Sequence, residues 1–173
     1  MKFVTCTLAV HGAAILDILN EQIRTSKALY EYVERTPDSI ASWFHVKQAK
    51  NYPVIGVEDE AGALMGFATY GVFRERPAYK YTVEHSVYVH QDHRGKGLGL
   101  ALMERLIEAA RAQDLHVMVG GIDATNAVSI AMHEKLGFVL AGTIRESGFK
   151  FGAWLDLAFY QLTLQTPLHP KDG

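Results

Sequence analysis

The most informative part of this chain is the run His93-Arg94-Gly95-Lys96-Gly97-Leu98-Gly99. It lies between a segment that alternates like a β-strand, 83–89, and a segment with the periodicity of a helix that runs to about Gln113. Glycines let the main chain turn tightly and bring its N–H groups close to a ligand, and the following helix adds the positive end of its dipole. The order strand, glycine loop, helix therefore predicts a pyrophosphate site, with a plain strand-to-helix turn as the alternative.

The spacing of the glycines excludes two other nucleotide loops. A P-loop needs four residues between its glycines and then Lys-Ser/Thr, which is missing here. A Rossmann fingerprint reads G-x-G-x-x-G near the start of an alternating α/β chain. The string here is R-x-x-G-x-G, read at Arg94, Gly97 and Gly99 in mid-chain. It resembles the acetyl-CoA signature of the GNAT superfamily of N-acetyltransferases, which implies acetyl-CoA as cosubstrate.

The length, charge and cysteine content of the chain limit the classes of protein to which it can belong. A chain of 173 residues fits one domain that buries about 70% of its unfolded surface, and we expect a single domain at 1–164 followed by a flexible tail at 165–173. A formal charge of −2 without a basic patch argues against a nucleic-acid partner. No apolar run approaches the ~18 residues of a membrane span. Cys6 is the only cysteine, which excludes an intrachain disulfide and a cysteine zinc cluster and fits the cytoplasm.

The pattern of apolar residues predicts an order of elements that matches the GNAT arrangement. The crossover rule makes the strand after the glycine-loop helix parallel to the strand before it. The resemblance implies a mixed, mostly antiparallel central sheet of about seven strands, with about four helices on its faces and a central parallel pair splayed around acetyl-CoA. The predicted elements are a strand at 3–10, helices at 12–24 and 36–50, a hairpin at 53–73, a strand at 83–89, a helix to 113, a strand at 116–122, a helix at 125–136 and two strands to 164.

A second motif supports the resemblance. Residues 126–138 are similar to the family's N-x-x-A-x-x-x-Y-x-K-L-G-F helix, with His133 in place of the tyrosine. The resemblance implies that Asn126 contacts the pantetheine arm of acetyl-CoA and that the aromatic position lies near the thioester sulfur. An imidazole can donate a proton to the departing thiolate, so we expect His133 to be a general acid. The alternative is a helix-surface histidine that packs or forms a hydrogen bond.

Two further segments narrow the family. Residues 82–89 look like the T-V-E-x-S-V-Y-V strand of the phosphinothricin acetyltransferase branch, and residues 149–156 are similar to its G-x-K-x-G-x-W-x-D hairpin. The branch implies direct acetyl transfer to the α-amine of a small amino acid or analogue: phosphinothricin, methionine sulfoximine or methionine sulfone. It also implies a homodimer. The alternatives are acetylation of a protein N-terminus or another amine, and a non-catalytic acyl-CoA sensor.

Glu84 is the residue we expect to act as general base. An amino-acid amine is mostly protonated at neutral pH, so acyl transfer needs a proton acceptor. Strand alternation places Glu84 on one face with Ser86 and Tyr88, where burial raises a carboxyl pKa toward the working range. The alternative is a carboxylate paired with a neighbouring Arg or Lys.

The remaining site residues fall into two sets. Main-chain N–H groups of β-strand residues pair with pantetheine in the family, and one of them polarises the thioester carbonyl. A bidentate guanidinium best holds an α-carboxylate, and the resemblance favours Arg74 for this. The expected acetyl-CoA contacts are Val87, Tyr88, Val89, Arg94, Gly95, Lys96, Gly97, Leu98, Gly99 and Asn126. The expected substrate contacts are Arg74, Arg76, Glu84, His85 and Ser86.

Several further residues are candidates for other roles. Tyr30 and Trp154 are candidates for the pocket or the core. His90 and His93 lack carboxylate or thiolate partners nearby in sequence, so we predict no metal. Cys6 lies far from the glycine loop in sequence, which favours direct transfer over an acyl-enzyme. An apolar C-terminal hairpin could form the dimer surface or belong to the core.

Overall fold

The computed structural model describes residues 1–172. Their strands are β1 (Lys2–Thr5), β2 (Val54–Glu58), β3 (Leu64–Val72), β4 (Thr82–Val89), β5 (Val117–Asp123), β6 (Val139–Lys150) and β7 (Ala153–Thr163). Their α-helices are α1 (Leu8–Thr25), α2 (Pro37–Ala49), α3 (Leu98–Ala112) and α4 (Ala127–Lys135). The strands form one mixed sheet in the order β1-β2-β3-β4-β5-β7-β6. The predicted mixed sheet of seven strands with four helices is confirmed.

The chain divides into two compact units. The first contains residues 1–70 and 86–106, and the second contains residues 71–85 and the described residues from 107 onward. Strand β4 and helix α3 each contribute residues to both units.

The first helix of the first unit is longer than predicted. Helix α1 starts at Leu8, because the hydroxyl of Thr7 accepts a hydrogen bond from the N–H of Val10 and caps the helix. Residues 8–10, predicted to end the first strand, are therefore helical, and that part of the prediction is wrong. A short apolar run does not distinguish strand from helix by its periodicity alone. The buried core packs α1 and α2 against the sheet through Ile15, Ile18, Leu19, Ile40, Phe44 and Phe67.

The second unit contains the parallel strand pair. Strand β5 pairs with β4 in the register Thr82↔Val117 to Glu84↔Val119, as the crossover rule predicts. Strands β5 and β7 are antiparallel, and β6 and β7 form the C-terminal hairpin with β6 at the edge of the sheet. The side chain of Asn126 accepts from the N–H of Ser129 and caps α4.

The predicted tail makes contacts with the second unit. The hydroxyl of Thr166 donates to the carbonyl of Leu115 at 2.5 Å, and the N–H of Lys171 donates to the hydroxyl of Tyr81 at 3.1 Å. Mobility of residues 165–173 stays a prediction, and Gly173 lies outside the described residues. Within residues 1–172, none of the helices combines the length and the apolar character needed to cross a membrane.

Candidate active site

The glycine loop has the backbone conformation that its sequence predicts. Gly95 and Gly97 have φ angles of 77° and 75°, in the left-handed region that favours glycine. A Cβ atom at either position would meet nothing within 4 Å, so backbone conformation rather than crowding requires glycine here. Helix α3 begins directly afterwards at Leu98, and the first N–H groups of a helix have no intrahelical acceptor. This exposed, tightly turned helix start suits a diphosphate.

Arg94 connects the glycine loop to α1 and β4. Its guanidinium forms an ion pair with Glu21 at 2.5 Å, and its Nε donates to the carbonyl of Val89 at 3.3 Å. The Glu21 carboxylate is buried in α1, whereas half of the Arg94 side chain is exposed. Lys96 donates to the carbonyl of Asp92 at 3.3 Å. Contacts of Arg94 and Lys96 with a cofactor stay predictions.

Glu84 is half-buried in β4. Burial raises the pKa of its carboxyl, and the positive charge of nearby Arg74 opposes that shift. No salt bridge to Glu84 exists among residues 1–172, and both the general base and the carboxylate paired with a neighbouring cation stay hypotheses. Gly121 leaves room for this side chain, since a Cβ there would lie 3.2 Å from Oε1 of Glu84.

His133 is buried and forms a pair with His85. The two Nε2 atoms lie 3.0 Å apart, and the ring planes are inclined by 21°. His85 and His133 are 7% and 1% exposed, so neither imidazole is on the surface. Phe138 packs edge-on against both rings. His133 is therefore not on the surface, but it packs and forms hydrogen bonds as the alternative supposes, and its role as general acid stays a prediction.

The hydrogen bonds of the pair define its tautomers. Nδ1 of His133 lies 2.7 Å from the carbonyl oxygen of Ser129, which only accepts, so this nitrogen carries the proton. Burial lowers the pKa of His85 to about 3 and also lowers the pKa of His133, which keeps both rings neutral near neutral pH. Nε2 of a neutral His133 is then an acceptor, and His85 donates to it from Nε2. Nδ1 of His85 is left as a buried acceptor without a partner.

Two adjacent glycines in β5 make room for these groups. A Cβ at Gly120 would lie 2.6 Å from Nε2 of His85, whereas Gly121 faces Glu84. Successive strand residues point to opposite faces, so Glu84 and His85 project from opposite faces of β4. His85, an expected substrate contact, consequently does not share a face of β4 with Glu84 and Ser86. Its imidazole contacts His133 instead.

The other predicted residues have the following surroundings. The Tyr88 ring packs on Phe67 at 5.5 Å. Trp154 is 63% exposed and contacts Phe149, so its assignment to the core is wrong. Burial raises the pKa of the Cys6 thiol to about 12, which makes it a poor nucleophile.

No group of three His, Cys, Asp or Glu side chains in residues 1–172 is arranged to hold a metal ion.

The model of the acetyltransferase (GNAT) family matches residues 14–138. The chain belongs to the GNAT family. It is 46% identical over 153 residues to the L-methionine sulfoximine/L-methionine sulfone acetyltransferase of Pseudomonas aeruginosa, a match that covers 87% of each chain. It is 42% identical over 158 residues to an L-amino acid N-acyltransferase of Escherichia coli, with 91% of each chain covered.

Solved structures of the GNAT family show the same fold. A phosphinothricin acetyltransferase from Sinorhizobium meliloti in complex with acetyl-CoA matches with a TM-score of 0.93 and 34% identity. The match covers 98% of this chain and 91% of that chain. This GNAT chain is therefore an N-acetyltransferase by sequence and by fold.

No motif of this GNAT chain indicated the contacts of Lys47. Its Nζ donates to the carbonyl of Tyr70 at 2.7 Å and lies over the rings of Trp43 and Tyr52. Burial lowers the pKa of this amine to about 8. The helical spacing of Trp43 and Lys47 was a signal, because residues four apart are neighbours on one helix face.

Proposed function

We propose that this acetyltransferase moves the acetyl group of acetyl-CoA to the α-amine of a small L-amino acid with an oxygen-bearing side chain. Methionine sulfoximine, methionine sulfone and phosphinothricin are the candidate acceptors. The named activities of the relatives support this substrate class. The observation that carries the proposal is the half-buried Glu84 carboxyl, whose pKa is raised by burial. Such a group can take the proton that an amino-acid ammonium must lose.

The reaction follows from the proposed roles. Glu84 accepts a proton from the ammonium, directly or through a water molecule, and the freed amine nitrogen attacks the thioester carbon. A C–N bond forms, the C–S bond breaks, and the departing thiolate takes up a proton. Main-chain N–H groups of Val87 and Val89 are proposed to hold pantetheine and to polarise the carbonyl. The free enzyme carries no acetyl group, because transfer is direct.

Acetyl-CoA is proposed to bind through the glycine loop. The N–H groups of residues 94–99 and the start of α3 receive the diphosphate, and Asn126 receives the pantetheine arm. The left-handed glycines and the open space around them support this assignment. Arg94 then acts mainly by fixing the loop through Glu21.

His133 is proposed to supply the proton to the thiolate. Its Nε2 is an acceptor for His85, and two N–H groups cannot face each other at 3.0 Å. Nδ1 of His133 already carries a proton, so a proton on Nε2 is a second one that makes this ring an imidazolium, and it has to be taken up from solvent. His85 must then be the tautomer that carries its single proton on Nδ1, the buried nitrogen without a partner, so that its Nε2 accepts from His133.

The acceptor amino acid is proposed to be held by its carboxylate. Arg74 is the main candidate, because its charge reaches Glu84 and its guanidinium is exposed beside the Phe73 ring. Arg76 lies on the same loop, and Ser86 shares the Glu84 face of β4. His85 contributes through His133 rather than by touching the substrate.

We infer further that residues 1–164 work as one catalytic domain, since the family match includes residues of both compact units. We also infer a cytoplasmic homodimer with neither nucleic acid nor membrane as partner. The edge strand β6 and the turn after it expose Val139, Leu140, Ile144, Phe149 and Phe151, and Trp154 follows in β7. An apolar surface of this kind favours an interface. Light scattering of the purified protein should give twice the chain mass, and a monomer mass would overturn this part.

The experiment that tests the function is a steady-state assay of CoA release. The acceptor panel contains L-methionine sulfone, L-methionine sulfoximine, L-phosphinothricin, L-methionine and a peptide with a free N-terminus. We expect the three oxygen-bearing amino acids to give the highest kcat/KM. Release driven by the peptide alone would instead indicate an N-terminal acetyltransferase. No release with any amine, despite acetyl-CoA binding, would indicate a sensor.

A further inference from the structure

Asp123, the last residue of β5, carries a buried carboxylate that the proposed reaction does not yet use. The residue is only 5% exposed. Its Oδ1 accepts a hydrogen bond from the N–H of Thr125 at 2.9 Å and another from the hydroxyl of the same residue. Its Oδ2 is buried and has no hydrogen-bond partner within residues 1–172. Buried polar atoms normally have a partner, so Oδ2 is an acceptor that the described fold leaves unused.

Asp123 and Glu84 belong to one face of the sheet. Residues two apart on a strand point to the same side, so Asp123 shares its face of β5 with Gly121. A Cβ atom at Gly121 would lie 3.2 Å from Oε1 of Glu84, which places the Glu84 carboxyl over this face. Asp123 follows one strand repeat later, about 7 Å along β5. Glu84, Gly121 and Asp123 all lie in the second unit.

The face is open at Gly121. This glycine is exposed, although β5 lies between β4 and β7 in the sheet. The other atoms nearest to a Cβ there belong to Leu157 and Phe159 of β7, at 3.4 and 3.8 Å, and both of these residues are half-buried. A small ligand can therefore lie over Gly121, with apolar side chains on the β7 side and the Glu84 carboxyl on the β4 side.

The two carboxyl groups of this face have no cation bound to them. None of the ion pairs formed by residues 1–172 includes Asp123 or Glu84. The positive charge of Arg74 acts on Glu84, but its guanidinium is proposed to hold the substrate carboxylate. An amino acid also brings an ammonium, which has three N–H donors. Hydrogen bonds from an ammonium to a carboxylate are among the strong ones, so the face suits such a group.

We propose that Oδ2 of Asp123 accepts a hydrogen bond from the α-ammonium of the substrate, which lies over Gly121 between Asp123 and Glu84. Asp123 then holds the nitrogen, while Glu84 takes the proton that the nitrogen must lose. This proposal deepens the proposed function and rests on it, since it assigns the residue that recognises the amine. A site built to bind a polar group rejects an analogue that lacks the group.

The test compares two ligands: L-methionine sulfone and its 2-hydroxy acid analogue, in which a hydroxyl replaces the ammonium. Each is titrated by calorimetry into protein saturated with free CoA, so that no acetyl group can be transferred. The wild type should bind the amino acid about 10- to 100-fold more tightly, as for a hydrogen bond to a charged group. In Asp123→Asn the Kd of the amino acid should rise about 10-fold, and that of the hydroxy acid should change less than about threefold.

Steady-state kinetics separates the role of Asp123 from that of Glu84. Asp123→Asn should raise KM for L-methionine sulfone about 10-fold and change kcat less than about threefold, because it removes binding that the ground state and the transition state share. Glu84→Gln should act mainly on kcat, since it removes the proton acceptor.

Asp114→Asn is the matched control. Asp114 is exposed in the turn after α3, and its φ of 55° is one that asparagine also adopts. This variant should leave both Kd values unchanged. Asp123→Asn keeps Oδ1 as the acceptor for Thr125 and loses no hydrogen bond of the free protein at Oδ2, so its thermal midpoint should equal that of the wild type. Asp123→Ser replaces Asp123→Asn if the latter does not fold.

Two outcomes would overturn the proposal while the enzyme stays active. One is an Asp123→Asn variant that binds the amino acid as tightly as the wild type does. The other is an equal loss of affinity for the amino acid and the hydroxy acid, which indicates a structural role for Asp123. A wild-type protein that acetylates no amino acid would instead overturn the proposed function, and with it the assignment of Asp123.

Discussion

Nε2 of His85 and Nε2 of His133 face each other at 3.0 Å, with the carbonyl of Ser129 fixing the proton on the far side of the second ring. His85 in β4 and His133 in α4 are 48 residues apart in sequence, and their imidazoles belong to one chain of hydrogen bonds. This chain ends at Nδ1 of His85, which has no partner. Leaving a buried acceptor unpaired costs about 1–3 kcal/mol. The unpaired Nδ1 of His85 is therefore an argument that the His85–His133 pair moves a proton.

Gly120 must lack a side chain for the histidine pair to form. In Gly120→Ala, the new Cβ would lie 2.6 Å from Nε2 of His85, so the imidazole must move. We expect the free energy of unfolding to fall by about 1–3 kcal/mol, as for overpacked cores. Urea denaturation measures this change. Gly142→Ala, where a Cβ meets nothing within 4 Å, is the control and should change stability by less than about 0.5 kcal/mol. Equal stability of the two variants would show that the pair is not tightly packed.

Stability should fall in mild acid because of His85. Its pKa is about 3 in the folded protein and about 6.5 in an unfolded chain, so the unfolded state binds more protons between these values. The free energy of unfolding is then at its full value above pH 6.5 and decreases as the pH falls toward 3.

A His85→Gln variant isolates this effect. Its loss of stability between pH 7 and pH 5, measured by denaturant titration, should be smaller than that of the wild type. This interval lies mostly above the range where carboxyl groups titrate. Identical losses in the two proteins would contradict the assignment of a depressed pKa to this residue.

Glu84 should control the acid side of the pH–rate profile. Only the carboxylate form accepts a proton, and burial raises the pKa of this carboxyl, so kcat/KM should increase with pH through that raised pKa. Glu84→Gln should lower kcat/KM by about 10²- to 10⁴-fold and should remove this dependence. The exposed Glu104 provides the matched substitution, since Glu104→Gln should leave the profile unaltered. If kcat/KM of Glu84→Gln still decreases at low pH, Glu84 is not the general base.

The left-handed glycine loop should contribute to acetyl-CoA affinity. In Gly97→Ala, an alanine at φ 75° costs about 1–2 kcal/mol. In the free protein the exposed loop can change its conformation and avoid this strain. It must return to the left-handed conformation when acetyl-CoA binds, so the strain weakens binding. We expect the Kd for acetyl-CoA, measured by calorimetry, to rise about 10-fold.

Gly62→Ala is the control for the glycine loop. Gly62 has a φ of 84° and open surroundings, but it lies in the turn between β2 and β3. This variant should carry similar strain and bind acetyl-CoA like the wild type. If both variants bind like the wild type, the loop does not hold the diphosphate as proposed.

Local patterns predicted the parts of the fold that depend on neighbouring residues. The glycines at 95 and 97 indicated a turn that requires a positive φ, and the structure confirms it. The sequence also predicted that burial would raise the pKa of Glu84, which the structure bears out, whereas its role as general base stays a prediction. The boundary at Leu8 was missed because the cap formed by Thr7 competes with an apolar run that also suits a strand.

Long-range contacts escaped prediction. His85 was grouped with the substrate contacts, since nothing in its own segment indicates a partner 48 residues away. The contacts of Lys47 with Trp43, Tyr52 and the carbonyl of Tyr70 likewise become apparent only after folding. Sequence patterns show which face a residue occupies, whereas contacts between distant residues are a property of the packed structure.

The most direct test is identification of the product formed from acetyl-CoA and L-methionine sulfone by mass spectrometry and NMR, with released CoA measured in parallel. We expect one molecule of CoA for each molecule of amino acid acetylated on its α-nitrogen. Release of CoA and acetate without an acetylated amino acid, or acetylation at any other atom, would contradict it.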